Sequence, residues 1–127
     1  MALRRFNVAV TTASDGTATA YTPYLSGYVH QLQYVKTDFA DGVDFTITAE
    51  ATGETIWAES NVNAAAIRAP RQATHSTAGV AALYASGGTA VNDRLAVSRD
   101  RIKIVIAQGG NVKTGAFNIL IDDGKGL

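Results

Sequence analysis

Hydrophobic and polar residues alternate along most of this chain, and such alternation is typical of β-strands. Phe6, Val8 and Val10 lie two residues apart, and the same spacing recurs between residues 44 and 50. Successive side chains of a strand point to opposite faces of a sheet, so a period of two predicts one buried face and one exposed face. The pattern predicts eight strands, at residues 6–12, 17–22, 28–35, 44–50, 55–59, 91–98, 102–106 and 116–121.

Turn residues between these segments predict how the strands pair. A Ser-Asp-Gly turn at residues 14–16 indicates a hairpin within residues 1–22, which would form an edge ribbon or an arm that pairs with a neighbouring chain. The glycines of residues 108–115 indicate another hairpin loop before the last strand. We expect residues 28–50 and 91–121 to fold as hairpins and to supply most of the core.

Residues 60–89 differ from the rest, because Asn, Gly and Ala replace the alternating pattern. We expect a long irregular connection there, with extended arms, one short strand and a helical turn at residues 80–85. Frequent turns and almost no helix are typical of sandwiches and small barrels. The predicted fold is therefore an all-β, single-domain β-sandwich over residues 1–127, jelly-roll-like, with about eight strands.

Composition narrows the classes of function. A chain of 127 residues without cysteine is long enough for one domain, and it has no disulfide and no thiolate metal site. We expect no membrane span and no secretory signal, because every apolar run is short. A net charge of zero argues against nucleic-acid binding. The neutral total conceals a polarity, since residues 38–59 carry −6 and residues 60–117 carry +5.

The titratable residues indicate no catalytic site. His30 and His75 are far apart in sequence, and neither has the nucleophile or the further ligands that a catalytic base or a zinc site needs. Asp38, Asp41 and Asp44 are a possible cation loop, although Asp-Gly is also ordinary hairpin-turn chemistry, which we favour. We predict no catalytic residue, no metal site and no cofactor, and we expect the chain not to be an enzyme.

The aromatic residues leave a different class of function open. Tyr28 and Tyr34 are expected on one face of the same strand, and an exposed row of Tyr and Trp side chains stacks on sugar rings in some β-sandwiches. A carbohydrate-binding module is therefore an alternative. The simpler interpretation is that these rings, with Trp57, fill a core that is short of large aliphatic side chains.

A basic segment around Pro70 points to contacts with protein. Arginine side chains suit protein interfaces and carboxylate partners, and the acidic segment at residues 38–59 is the obvious partner, either within one chain or between copies. If the two segments meet across an interface, high salt should weaken the assembly. The candidate interface residues are Arg68, Arg71, His75, Asp38, Asp41 and Asp44.

Three segments resemble small structural proteins from tailed-phage and prophage gene clusters. They are residues 34–47 (YVKTDFADGVDFTI), 69–75 (APRQATH) and 100–110 (DRIKIVIAQGG), within a likeness that extends over residues 27–121. The resemblance implies a virion component, namely a β-sandwich that decorates or cements the capsid or lies at the head–tail junction.

The sequence thus predicts a structural phage virion protein, most directly a capsid decoration or cement protein that stabilises the head by binding the major capsid protein. A head–tail connector or tail component is the alternative within this class. Segregated charge suits contacts between copies, so we expect a homo-oligomer, with a trimer favoured. Its expected location is the virion, assembled in the host cytoplasm. The expected partners are the major capsid protein or other virion proteins, not nucleic acid, a membrane or a small-molecule substrate.

Overall fold

The computed structural model describes residues 2–124, and every regular element in this range is a β-strand. The strands are β1 (Leu3–Thr11), β2 (Ala18–Tyr21), β3 (Leu25–Lys36), β4 (Val43–Ala49), β5 (Thr55–Val62), β6 (Ala66–Arg68), β7 (Gln72–Ala73), β8 (Asn92–Asp93), β9 (Leu95–Asp100), β10 (Ile102–Ala107) and β11 (Thr114–Asp122).

The strands form two main sheets with the core between them. In the first sheet the order is β1-β11-β3, and both β6 and β9 pair with the far side of β3. In the second sheet the order is β2-β10-β4-β5. When the three shortest strands, β6 to β8, are set aside, the remaining eight are ordered 1-8-3-6 and 2-7-4-5, which is the jelly-roll arrangement. The predicted jelly-roll-like β-sandwich of about eight strands is confirmed.

The strand pairs differ from the predicted hairpins. β1 pairs with β11 and β2 pairs with β10, so the described residues 2–22 form no hairpin. The predicted hairpins over residues 28–50 and 91–121 are also wrong, because β3 and β4 lie in opposite sheets, as do β10 and β11. These two regions do supply most of the core. Alternation determines which face of a strand is buried, but it carries no information about which strand lies beside it.

Aromatic rings fill the centre of the core. The ring centroid of Phe45 lies 4.7 Å from that of Trp57 and 5.2 Å from that of Phe117. Tyr34 is fully buried against the same group, and burial raises the pKa of its phenol. Trp57 is 6% exposed, so the simpler interpretation of Trp57 and Tyr34 as core residues is confirmed.

A bulge in β3 lies between its two tyrosines, Tyr28 and Tyr34. The register against β11 shifts between Leu120 and Ile121, and His30 is the extra residue that the shift accommodates. Tyr28 is consequently 41% exposed on the outer face, whereas Tyr34 points into the core. The expectation that these tyrosines share one face is wrong, because the bulge reverses the alternation between them.

Residues 71–94 leave the sandwich as a projection. β7 and β8 pair only with each other among the described strands. Residues 80–85 are extended or bent and contain no helical turn, so that prediction is wrong. Isolated bridges from His75 to Ala81 and from Leu83 to Ala90 pair this part of the chain instead. The backbone groups that a helix would have satisfied within itself are thus satisfied by neighbouring segments.

Candidate interaction surface

The projection is an arm formed by residues 71–94. It consists of three extended segments, or legs, that contain Thr74, Ala82 and Val91 and hydrogen-bond to one another. The Thr74 N–H donates to the Val91 carbonyl (2.9 Å), the Val91 N–H to the Ala82 carbonyl (2.9 Å), and the Ala82 N–H to the Thr74 carbonyl (3.0 Å). Each leg therefore pairs with both of the others. The arm holds its shape by backbone hydrogen bonds and not by a core of its own.

The surface of the arm is exposed, and its outer part is apolar and carries no charged residue. None of its residues is buried. Val80, Leu83 and Tyr84 are 66%, 44% and 74% exposed. No Lys, Arg, Asp or Glu occurs between Arg71 and Asp93. Exposed apolar patches on soluble proteins commonly mark interaction sites, so the arm is the first candidate surface.

Two arginines, at the first and last positions of the arm, hold it against the outer face of the first sheet. Arg71 donates from Nη1 to the carbonyls of Pro70 (2.8 Å) and His30 (3.2 Å). Arg94 donates from Nη1 to Asp122 Oδ2 (2.6 Å), and its guanidinium carbon lies 4.6 Å from the centroid of the Tyr28 ring. The arm therefore starts from a defined position beside β3 and β9.

The three aspartates of the candidate interface bind to different parts of their own chain. The Asp38 carboxylate accepts from the N–H and the hydroxyl of Thr114. Asp41 forms an ion pair with Lys36. The Asp44 carboxylate accepts the Asn61 N–H (2.8 Å). These side chains brace the loops between strands.

The basic and acidic segments pair within the chain. The Arg68 guanidinium donates to both carboxylate oxygens of Glu59, at 3.0 and 3.1 Å. Arg101 contacts Glu50 in the same two-pronged way, at 2.6 and 3.0 Å. Of the two arrangements that the sequence left open, intramolecular pairing accounts for these carboxylates.

Hydrogen bonds lower the pKa of several of these carboxyl groups. The Thr114 backbone N–H is the main cause at Asp38, and the Arg101 guanidinium is the main cause at Glu50. For Glu59 the indole N–H of Trp57 lowers the pKa most, followed by Arg68. The Gly124 N–H and then Arg94 lower the pKa of Asp122. Each of these carboxylates is therefore better stabilised in its charged form by the fold than by water.

The remaining sequence candidates lie apart from one another. His75 belongs to the exposed arm, where its backbone bridges to Ala81, whereas His30 lies at the bulge of β3. Among residues 2–124, no group of three or more His, Asp or Glu side chains is close enough to hold a metal ion. The glycines of residues 108–115 form a tight loop in which the Gly109 N–H donates to the Gly16 carbonyl (2.9 Å).

Arginine side chains lie over three of the exposed tyrosines. Arg101 lies over the rings of Tyr21 and Tyr24, with its guanidinium carbon 3.8 and 5.4 Å from their centroids. Tyr28 is covered in the same way by Arg94. Each of these cation–π contacts covers one face of a tyrosine ring and leaves less ring surface for stacking on a sugar. The geometry therefore gives no support to the carbohydrate-binding alternative.

Two features of the first sheet were not predicted from the sequence. On its outer face, Asn7 Nδ2 donates to Asn118 Oδ1 (2.9 Å), and Asn118 Nδ2 donates to Gln33 Oε1 (3.2 Å). At one end of the sandwich, Arg4 and Arg99 line an open cleft of about 470 Å³. The polar residues were visible as the exposed positions of their strands, but only the strand order brings them together.

Comparisons with protein-family models, with curated proteins and with solved structures find no match. None of the described residues belongs to a helix long and apolar enough to cross a membrane. The fold and the surface define a jelly-roll β-sandwich with a projecting arm whose outer part is apolar and uncharged.

Proposed function

We propose that this chain is a structural component of a phage virion, a capsid decoration or cement protein that stabilises the head by binding the major capsid protein and catalyses no reaction. The observation that carries the proposal is the arm. Its three legs bond to one another through backbone hydrogen bonds, while the side chains of Val80, Leu83 and Tyr84 are exposed to water. Covering Val80, Leu83 and Tyr84 with another protein would remove apolar surface from water, which favours association.

Two further observations support the proposal. Viral capsid proteins are among the proteins that use the jelly-roll arrangement, although lectins and cupins use it too, so the fold alone is an analogy. The segments at residues 34–47, 69–75 and 100–110 resemble tailed-phage structural proteins. The second of these segments leads directly into the arm, so the likeness and the candidate surface coincide there.

Particle stability tests the proposal. Heads assembled without this chain should lose resistance to heat or chelator, and addition of the wild-type chain should restore it. The triple variant Val80→Ser, Leu83→Ser and Tyr84→Ser should fail to bind heads and fail to restore them. The matched control is Val112→Ser, which removes a side chain of similar exposure (61%) outside the arm and should restore fully.

The outcome that contradicts a cement role is unchanged stability of heads that lack the chain. Recovery of the chain with isolated tails or connectors in six or twelve copies would instead assign it to the head–tail junction. Restoration of the heads by the arm variant would show that another surface binds the capsid.

A further inference from the structure

The outer edge of β1 is a long, regular and unprotected sheet edge. β1 pairs with β11 without interruption, from Leu3 opposite Asp122 to Thr11 opposite Thr114. No other described strand pairs with β1. It has nine residues, no bulge and no proline. Such an edge exposes a row of unpaired backbone groups that can accept another strand.

The hydrogen bonds at the two ends of β1 identify which groups are free. The Thr12 N–H donates to the Lys113 carbonyl (2.8 Å), and the Asp123 N–H donates to the Ala2 carbonyl (3.1 Å). In an antiparallel pair the bonded residues alternate, so even-numbered residues bond to β11. The N–H and C=O groups of the odd-numbered residues therefore point away from the sheet: Leu3, Arg5, Asn7, Ala9 and Thr11.

The other sheet edges are protected in ways that β1 is not. β2 has four residues and β6 has three, so neither offers a long template. The register of β5 against β4 shifts twice. β9 contains a bulge against β3, where Arg99 adopts a φ of 47°. Short strands, bulges and charges are the usual means of preventing edge-to-edge pairing, and beyond Arg5 none of them occurs in β1.

The side-chain ladder on the outer face ends at this same edge. It runs from Gln33 through Asn118 to Asn7, where Asn7 uses one amide hydrogen to bond Asn118 Oδ1. A primary amide has a second N–H and an acceptor oxygen. Both are available for continuing the ladder beyond β1, since no hydrogen bond to the Asn7 oxygen occurs within the described residues.

We propose that two copies of this chain pair through β1, antiparallel and about a two-fold axis at Asn7. In this register Asn7 faces Asn7 of the second copy, Arg5 faces Ala9, and Leu3 faces Thr11. The whole of β1 is paired, the two asparagine amides hydrogen-bond reciprocally, and no like charges are opposed. A register centred on Arg5 would place two arginines opposite each other, which is unfavourable in a cross-strand pair.

This pairing joins the two copies of the first sheet into one continuous sheet and is self-complementary, as a two-fold interface requires. It does not depend on the virion role. The arm leaves the first sheet at the β3–β9 side, whereas β1 is the opposite edge. Both arms of the dimer therefore remain available for another partner.

Mass measurement of the purified chain by size exclusion with light scattering tests the pairing. The wild type should have twice the chain mass of 13.3 kDa. Ala9→Pro removes an outward N–H and blocks the edge, and proline is tolerated at such edge positions, so this variant should be monomeric with a retained unfolding transition. Ala9→Ser keeps the backbone donor and should remain a dimer.

Cysteine cross-linking tests the register. Because the chain has no native cysteine, only the introduced cysteine can form a disulfide. Opposed residues of a hydrogen-bonded pair have Cα atoms about 5.5 Å apart, which suits a disulfide. Asn7→Cys should therefore oxidise to a covalent dimer, whereas Thr11→Cys alone should not. A monomeric wild type, an oligomer that Ala9→Pro leaves intact, or a failure of Asn7→Cys to cross-link would each overturn the proposal. Any of these results would leave the particle-binding test of the proposed function unaffected.

Discussion

Gly27 lies where the backbone of β3 closely approaches that of β11. Its φ is 147°, and a Cβ atom there would meet the Asp122 carbonyl oxygen and would lie 2.8 Å from Ile121 Cγ2. The position combines an unfavourable φ for other residues with a lack of space, and neither β3 nor β11 can move without opening the first sheet.

Gly27→Ala should therefore lower the free energy of unfolding by about 3 kcal/mol, because overpacking and backbone strain add. Chemical denaturation measures this loss. Gly53→Ala is the matched control, since Gly53 also has a positive φ (74°) but no atom within 4 Å of the added methyl group. It should cost about 1 kcal/mol from strain alone. Equal losses in the two variants would contradict the close approach of β3 and β11.

Asp122 is the most deeply buried of the paired carboxylates, at 2% exposure. The Gly124 N–H and Arg94 hold its pKa below the usual value. A carboxyl group with a lowered folded-state pKa stabilises the protein above its unfolded-state pKa, and this stabilisation is lost as the pH falls through the folded-state pKa. The wild type should accordingly lose stability below about pH 4.

Asp122→Asn should lower the melting temperature at pH 7 and should flatten its decline between about pH 5 and pH 3. Thermal unfolding followed across this range measures both effects. Glu54→Gln is the control, because its carboxylate makes none of the ion pairs described above, and it should keep the wild-type profile. A variant profile parallel to that of the wild type would show that other carboxylates govern the acid limb.

The elements show what the sequence could and could not predict. The alternation in β10 gave the strand and its buried face, because both follow from the local period of two. The partners of β10 are β2 and β4, which are far from it in sequence, and no local pattern encodes them. The same limit applies to the ladder of Asn7, Asn118 and Gln33, whose members belong to three strands.

The arm is the element that the pattern described least well. Its Asn, Gly and Ala residues predicted an irregular connection, whereas the structure has three hydrogen-bonded legs. The signal that was present in the sequence is the absence of charge between Arg71 and Asp93, combined with Val80, Leu83 and Tyr84. A loop exposed only to water would be expected to carry more charged residues, so this composition is the sequence signal that favours the proposed contact surface.

Replacement of residues 75–90 by Asn-Gly should shorten the arm without unfolding the sandwich. The Thr74 N–H already donates to the Val91 carbonyl (2.9 Å), so these two residues face each other at the ends of the deleted segment. Asn-Gly favours a two-residue turn between such strands. The melting temperature should change by no more than about 3 °C, because no buried side chain is removed. In a domain of this size a stability change of 1 kcal/mol shifts the melting temperature by ~4 °C. Global unfolding of this variant would show that the arm supports the core.

At the scale of the whole molecule, the charge polarity and the association surfaces are separate features. The −6 of residues 38–59 and the +5 of residues 60–117 suggested contacts between copies. Glu59 and Glu50 instead pair with Arg68 and Arg101 of their own chain, and Asp41 pairs with Lys36. The surfaces proposed for association carry few charges: β1 has only Arg4 and Arg5, and the arm has none between Arg71 and Asp93.

Salt should therefore have little effect on the assembly of the purified chain. The Debye length falls from ~10 Å at 0.1 M to ~3 Å at 1 M ionic strength, which screens contacts between exposed charges but not backbone hydrogen bonds or apolar contacts. The dissociation constant, measured by analytical ultracentrifugation in NaCl, should change less than about threefold over this range. A tenfold change would correspond to a loss of about 1.4 kcal/mol in the free energy of association. The double variant Glu50→Gln and Glu59→Gln should associate as the wild type does. A tenfold weakening in salt, or a loss of association in that variant, would show that the acidic and basic segments meet between copies after all.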